Sequence, residues 1–164
     1  MSNTHFTSSE SAITFENRIL VVDDHNVNQQ LAVMMIERLG YKVDIAANGK
    51  EAVEACTTKP YALVFMDCQM PVMDGYDATK KIREAESKKR EGLDVRGEPE
   101  GANPTNAIPH TSDYVPIVAM TANIEPENRG KCLQAGMDDY LAKPVRPEGF
   151  SEIFAKWLPA RSST

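Results

Sequence analysis

The sequence predicts an α/β domain in which five parallel strands alternate with five helices packed on both faces of one sheet. Three observations predict it. Apolar runs of strand length recur at Ile19-Leu20-Val21-Val22, Tyr61-Ala62-Leu63-Val64-Phe65-Met66 and Val115-Pro116-Ile117-Val118-Ala119-Met120, and such continuous runs read as strands buried on both faces. Segments with apolar residues at helical spacing separate them. The strands also end on polar residues, namely Asp23-Asp24, Asp67, Thr121 and Lys143. In a parallel sheet with right-handed crossovers all strand ends point the same way, so residues far apart in the chain gather at one edge.

Residues 1–16 are polar, and the sequence predicts a loose tail there. Order begins at Arg18 with the first apolar run, which ends on Asp23-Asp24. Val27, Leu31, Met34, Met35 and Leu39 then recur at helical spacing, with Gly40 placed for a left-handed cap. His25 reads as a loop residue at the start of that helix. Tyr41 to Ala46 alternates, as expected of a strand nearer an edge. Gly49 to Thr57 predicts a short helix burying Ala52, Val53 and Cys56. Gly49-Lys50 is not a phosphate loop, because Asp44 occupies the position of the first glycine and no Ser or Thr follows the lysine.

The third strand ends on Asp67, and Asp74 can cap a helix carrying Tyr76, Thr79, Ile82 and Arg83 that fades near Lys89. From there to Tyr114 the composition turns to glycine, proline and polar residues without periodicity, which predicts a loop insertion over about 88–113. The fourth strand ends on Thr121-Ala122-Asn123. A helix follows from Pro126 to Ala135 with Gly136 as its cap, then a short strand Asp139-Tyr140-Leu141-Ala142 and Lys143-Pro144. Phe150, Ile153, Phe154, Trp157 and Leu158 form the core stripe of a last helix, and 159–164 reads as a tail.

With 164 residues and 41% hydrophobic content, the chain predicts one domain, over 17–158. A net charge of -6 without a large basic cluster argues against nucleic-acid binding; the densest basic run is Lys88-Lys89-Arg90. Cys56, Cys68 and Cys132 are odd in number and widely spaced, giving neither a disulfide framework nor a metal-ligand spacing, as expected in a reducing cytoplasm. No apolar run approaches the roughly 20 residues of a membrane span, and the first stretch lacks the apolar core of a signal peptide.

Asp23, Asp24 and Asp67 at one edge repel, so the cluster needs a cation, and an all-oxygen site suits Mg2+. A carboxylate beside Mg2+ can act as a nucleophile toward phosphorus, with a metal and a lysine neutralising charge on the phosphoryl oxygens. The pieces suit phosphoryl transfer to Asp67, with Thr121 and Lys143 beside it. Hydrolytic chemistry of the Ser-His or Cys-His kind has no visible arrangement, since His25 is the one histidine near a strand end.

Four motifs carry a resemblance: Val22-Asp23-Asp24, then Met66-Asp67-Cys68-Gln69-Met70-Pro71-Val72-Met73-Asp74-Gly75, then Ala119-Met120-Thr121-Ala122-Asn123, and Ala135 through Lys143-Pro144. Together they resemble the receiver (response-regulator) domains of two-component and phosphorelay signalling, most of all those of hybrid histidine kinases. The resemblance covers about Arg18 to Leu158 apart from the insertion. It implies the flavodoxin-like strand order 2-1-3-4-5 and a phosphoacceptor Asp67 that takes its phosphoryl group from a phosphohistidine. Asp24, Asp67 and the backbone carbonyl of Gln69 would bind Mg2+ directly, with Asp23 acting mainly through water. Thr121 and Lys143 would hold the phosphoryl oxygens, Thr121 and Tyr140 would form a conformational switch, and the Lys143-Pro144 bond would be cis. The partners implied are a histidine kinase, a histidine phosphotransfer domain, or both, in the cytoplasm, including as part of a membrane-anchored hybrid kinase. Such a domain catalyses its own phosphorylation and dephosphorylation only.

Three rivals fit the residues less well. An aspartate-nucleophile phosphatase wants a second acid two residues after the nucleophile, where this chain has Gln69. A receiver-like module that binds partners without phosphorylation would have lost part of the acid pocket, and every member is present. A flavodoxin-type cofactor binder needs a Ser/Thr/Gly-rich phosphate loop after its first strand, where Asp23-Asp24-His25-Asn26 would repel a phosphate.

Overall fold

The computed structural model describes residues 18–95 and 114–158. The expected tails at 1–16 and 159–164, and residues 96–113 of the expected insertion, lie outside the described residues. In chain order the elements are β1 (Arg18–Val22), α1 (Asn26–Arg38), β2 (Lys42–Ala46), α2 (Gly49–Thr58), β3 (Leu63–Asp67), α3 (Gly75–Val95), β4 (Ile117–Thr121), α4 (Pro126–Ala135), β5 (Asp139–Ala142) and α5 (Pro147–Trp157). The strands form one sheet in the order β2-β1-β3-β4-β5, and every adjacent pair is parallel. This is the flavodoxin-like order.

Alternation along the strands divides the core into two layers. Leu20, Val22, Val64, Met66, Ile117 and Ala119 face α2, α3 and α4, whereas Ile19, Val21, Leu63, Phe65, Val118 and Met120 face α1 and α5. All five residues of β3 and of β4 are buried, as their unbroken apolar runs require. Phe65 meets Phe150 edge to face at 4.8 Å, and Tyr41 lies 4.5 Å from Phe154. Burying rings of this size contributes about 1.5–3 kcal/mol each, which fixes the sheet that carries the site. The edge strand β2 is partly exposed along most of its length, as its alternation predicts.

Two helices depart from expectation. In α1 most of the predicted apolar stripe does not face the core: Val27 is 69% exposed, Leu31 46% and Met34 54%, whereas Met35 of that stripe packs beside the buried Ala32 and Ile36. The helix has apolar residues on two faces, and spacing alone does not say which one the sheet covers. The helix α3 was expected to fade near Lys89 but continues to Val95, so 88–95 is helical rather than loop. Glu84, Glu86, Lys88 and Lys89 are good helix formers, and a helix persists on propensity after its apolar face ends. Gly40 and Gly136 both take positive φ at helix ends, as expected of them.

Candidate functional site

The strand ends meet at one edge, as the parallel topology demands. Asp23 follows β1, where its backbone N–H donates to the carbonyl of Ala46, and its side chain is buried. Asp67 is the last residue of β3 and is also buried. Lys143 follows β5, held by a backbone bond of 2.8 Å to the carbonyl of Thr121. Its Nζ lies 3.3 Å from Oδ2 of Asp23 and 3.1 Å from Oδ2 of Asp67, so one ammonium bridges two buried carboxylates from different strands. The Lys143-Pro144 peptide bond is cis, as the resemblance implied.

The loop after β3 is pinned from two sides. The backbone N–H of Gln69 donates to Oδ1 of Asp67 at 3.2 Å, and the N–H of Gly75 donates to the carbonyl of Cys68. A β-carbon on Gly75 would overlap the backbone carbonyl oxygen of Asp67 and crowd the side chain of Met66. Only glycine lets the first turn of α3 approach the phosphoacceptor candidate so closely. Val72 takes a φ of 72° inside a three-residue turn in which Met73 N–H donates to the carbonyl of Pro71. That strain is held by the N–H of Gly49, which donates to the carbonyl of Met73 from the start of α2. Asp74 caps α3 as predicted, accepting from the N–H of Asp77 at 2.9 Å.

His25, Asp67, Gln69, Thr121, Asn123 and Lys143 are among the residues lining an open cleft of about 450 Å³. The Thr121 hydroxyl donates to the carbonyl of Asn123 at 3.0 Å and accepts from the N–H of Asn123 at 3.1 Å. Tyr140 is absent from that lining. Its ring packs against the layer facing α2, α3 and α4, with the Arg129 guanidinium 5.0 Å from the ring centroid. Asp24, half-buried, holds its Oδ1 3.1 Å from Nδ1 of His25. Sequence reasoning assigned no role to His25 or Asn123; adjacency to the acid pair and to Thr121 is the signal that could have found them.

Burial raises the Asp67 carboxyl above the ordinary aspartate value, although the Gln69 N–H and the Lys143 ammonium oppose it; the Asp23 carboxylate adds to the rise. Burial alone would lower Lys143, but the carboxylates of Asp67 and Asp23 outweigh it and hold the ammonium above its usual range. Both shifts describe a charged pocket short of positive charge. One ammonium among three carboxylates leaves two negative charges, the amount a divalent cation matches. Donor atoms of Asp23, Asp24 and His25 lie within 4.8 Å of one another. The carboxylate oxygens of this set fit Mg2+.

The comparisons with known proteins agree with this geometry. The sequence profile described as "Response regulator receiver domain" matches residues 19–90 and 96–155. The probable histidine kinase 1 of Oryza sativa subsp. indica is 38% identical over 162 residues; the match takes in 94% of this chain and 17% of that protein. The chain therefore spans less than a fifth of that relative's length. Among solved structures, the receiver domain of the sensor histidine kinase PA1611 from Pseudomonas aeruginosa PAO1 is 37% identical with a TM-score of 0.65, covering 86% of this chain and 96% of that one. That crystal structure has a magnesium ion coordinated in its active site cleft. The receiver domain of the Saccharomyces cerevisiae response regulator Ssk1, crystallised with the histidine phosphotransfer protein Ypd1, is 31% identical with a TM-score of 0.68, covering 85% of this chain and 87% of that one. Among the described residues, no helix is long and apolar enough to cross a membrane.

Proposed function

This chain belongs to the response regulator receiver domain family, and from that membership we propose that it accepts a phosphoryl group on Asp67 from a phosphohistidine and switches conformation in response. The observation that carries the proposal is the Lys143 ammonium held between Asp23 and Asp67 at 3.3 and 3.1 Å. In the transfer, an Oδ of Asp67 attacks phosphorus as the P–N bond to the donor imidazole breaks, and that nitrogen leaves with the bonding electron pair. The product is an aspartyl phosphate and a free histidine. The carboxylate must be ionised to attack, and Lys143 favours the ionised form against the burial that opposes it.

Asp24, Asp67 and the backbone carbonyl of Gln69 are the residues assigned to hold Mg2+, with Asp23 acting mainly through water. When bound, the ion supplies positive charge to the equatorial phosphoryl oxygens as negative charge accumulates there. Lys143 contributes a second positive charge to those oxygens, and the Thr121 hydroxyl a hydrogen bond once it leaves Asn123. Charge neutralisation and positioning account for the chemistry expected of this pocket, with no turnover of an external substrate; later hydrolysis of the acyl phosphate completes its cycle.

The supply of phosphoryl groups falls to a histidine kinase, a histidine phosphotransfer domain, or both, acting in the cytoplasm on a receiver unit spanning 17–158. Similarity to hybrid kinases and to a receiver crystallised with a phosphotransfer protein supports this reading. Residues 96–113 connect α3 to the amino end of β4, and we assign them no part in the transfer, because Asp67 and Thr121 close the carboxyl ends of their strands.

Borohydride reduction of the phosphorylated protein tests the assignment of the acceptor, because it converts an aspartyl phosphate to homoserine. Peptide mapping should place homoserine at position 67, and homoserine at Asp23 or Asp24 instead would overturn the assignment.

A further inference from the structure

We propose that His25 adds an imidazole nitrogen to the divalent-cation site and so shifts this chain's metal preference toward first-row transition cations such as Mn2+. The inference rests on the reading of this edge as a metal site and concerns one residue that reading leaves out. Nδ1 of His25 stands 3.1 Å from Oδ1 of Asp24 and 3.8 Å from Oδ1 of Asp23. Two adjacent donors on an octahedron with bonds of about 2.1 Å are about 3.0 Å apart. The His25–Asp24 spacing therefore matches the edge of such an octahedron, and Asp23, 3.8 Å from the same nitrogen, stays outside it, acting through water as assigned above.

The imidazole is placed to serve there, its Nδ1 hydrogen-bonded to Oδ1 of Asp24. His25 is the N-cap residue of α1, yet its side chain makes no capping bond. Its backbone N–H donates instead to Oδ1 of Asp23 at 2.9 Å, which pins the residue beside the acid pair. The side chain is 71% exposed, so it gives up little packing by swinging onto a metal, and it lines the same cleft as Asp67 and Gln69. An all-oxygen set suits Mg2+, whereas imidazole is a favoured donor for first-row transition metals and a poor partner for magnesium. One nitrogen among oxygens thus changes selectivity more than it changes affinity for Mg2+. The hydrogen bond between the imidazole and Asp24, with the ring outside the coordination sphere, accounts equally for the spacing at rest. The two arrangements differ once a metal is present.

The probes are Mn2+ and Mg2+ added separately to the wild-type chain and to His25→Asn, an exposed substitution that leaves the core untouched. Calorimetric titration should show the ratio of Mn2+ to Mg2+ affinity falling about tenfold in His25→Asn, with Mg2+ affinity changed by less than about twofold. Pulsed electron paramagnetic resonance of the Mn2+-loaded wild type should show coupling to a directly bound imidazole 14N that disappears in the variant. Binding of both ions with no nitrogen coupling and an unchanged ratio would overturn the role of His25 alone. Failure of the wild type to bind either ion would overturn the metal site itself, and this inference with it.

Discussion

Lys143, which follows β5, and Asp67, the last residue of β3, stand 3.1 Å apart at the carboxyl edge of the sheet. Burial nevertheless keeps the Asp67 carboxyl above the ordinary aspartate range. Without a divalent cation the Asp67 carboxyl should therefore take up its proton on acidification at a higher pH than a solvated aspartate, as carboxyl 13C NMR signals would show. Lys143→Gln removes a charge that favours ionisation and should move that titration further up. A titration in which Lys143→Gln moves it down would contradict the electrostatic role given to the lysine.

The same shift carries a stability consequence. A carboxyl raised in the folded state stabilises the fold fully below its unfolded value, and that contribution is lost as pH rises through its folded value. At neutral pH the ionised Asp67 is therefore a burden that asparagine removes. Asp67→Asn should raise the urea midpoint at neutral pH, and the advantage should shrink toward about pH 3, where the wild-type carboxyl is protonated. Equal gains at both pH values would place the cause elsewhere.

Arg83 should govern stability without touching chemistry. Its guanidinium donates to Glu86 at 2.7 Å, to Asp138 at 2.8 Å and to the carbonyls of Val115 and Gly136, all near the amino ends of β4 and β5. Tyr114 stacks on the guanidinium and donates from its hydroxyl to Asp138. Arg83→Met strands two largely buried carboxylates and should cost about 2–3 kcal/mol, below the full range for a buried pair because these groups keep some solvent contact. Denaturant unfolding measures the loss. The folded fraction should still take up phosphate at the wild-type rate, because Asp67 lies at the opposite ends of the strands.

Much of this arrangement was legible in the residues, for a physical reason. A strand buried on both faces must be apolar throughout, so Asp67 and Asp23 stand out as interruptions that only a strand end can tolerate. Parallel topology then gathers them without any knowledge of distances. What stayed hidden depended on choices that periodicity leaves degenerate. Ala32 and Ile36 face the core in place of Leu31 and Met34, because small and β-branched residues fit against the sheet where both faces of α1 are apolar. The full length of α3 is not legible, since polar residues of high helix propensity resemble a loop to hydrophobic spacing. The Arg83 network joins residues from three segments, and no local pattern announces such a meeting.

The proposed switch rests on the two bonds between the Thr121 hydroxyl and Asn123, at 3.0 and 3.1 Å, which must break for the hydroxyl to reach a phosphoryl oxygen. Tyr140 sits on the neighbouring strand, where Ala119 is its register partner. Phosphorylation can shift this equilibrium only through contacts that differ between the two states. Ring NMR signals of Tyr140 should therefore move on phosphorylation of the wild type and stay in place in Thr121→Ala, still phosphorylated on Asp67. Ring signals that move equally in both proteins would disconnect Thr121 from the switch.

The assignment of Asp67 as the sole phosphoacceptor is tested most directly by intact mass spectrometry after incubation with a small acyl phosphate and Mg2+. The wild-type chain should gain the mass of one phosphoryl group, and Asp67→Asn, which keeps the shape and removes the nucleophile, should gain none. A phosphoryl mass on Asp67→Asn, or none on the wild type, would contradict it.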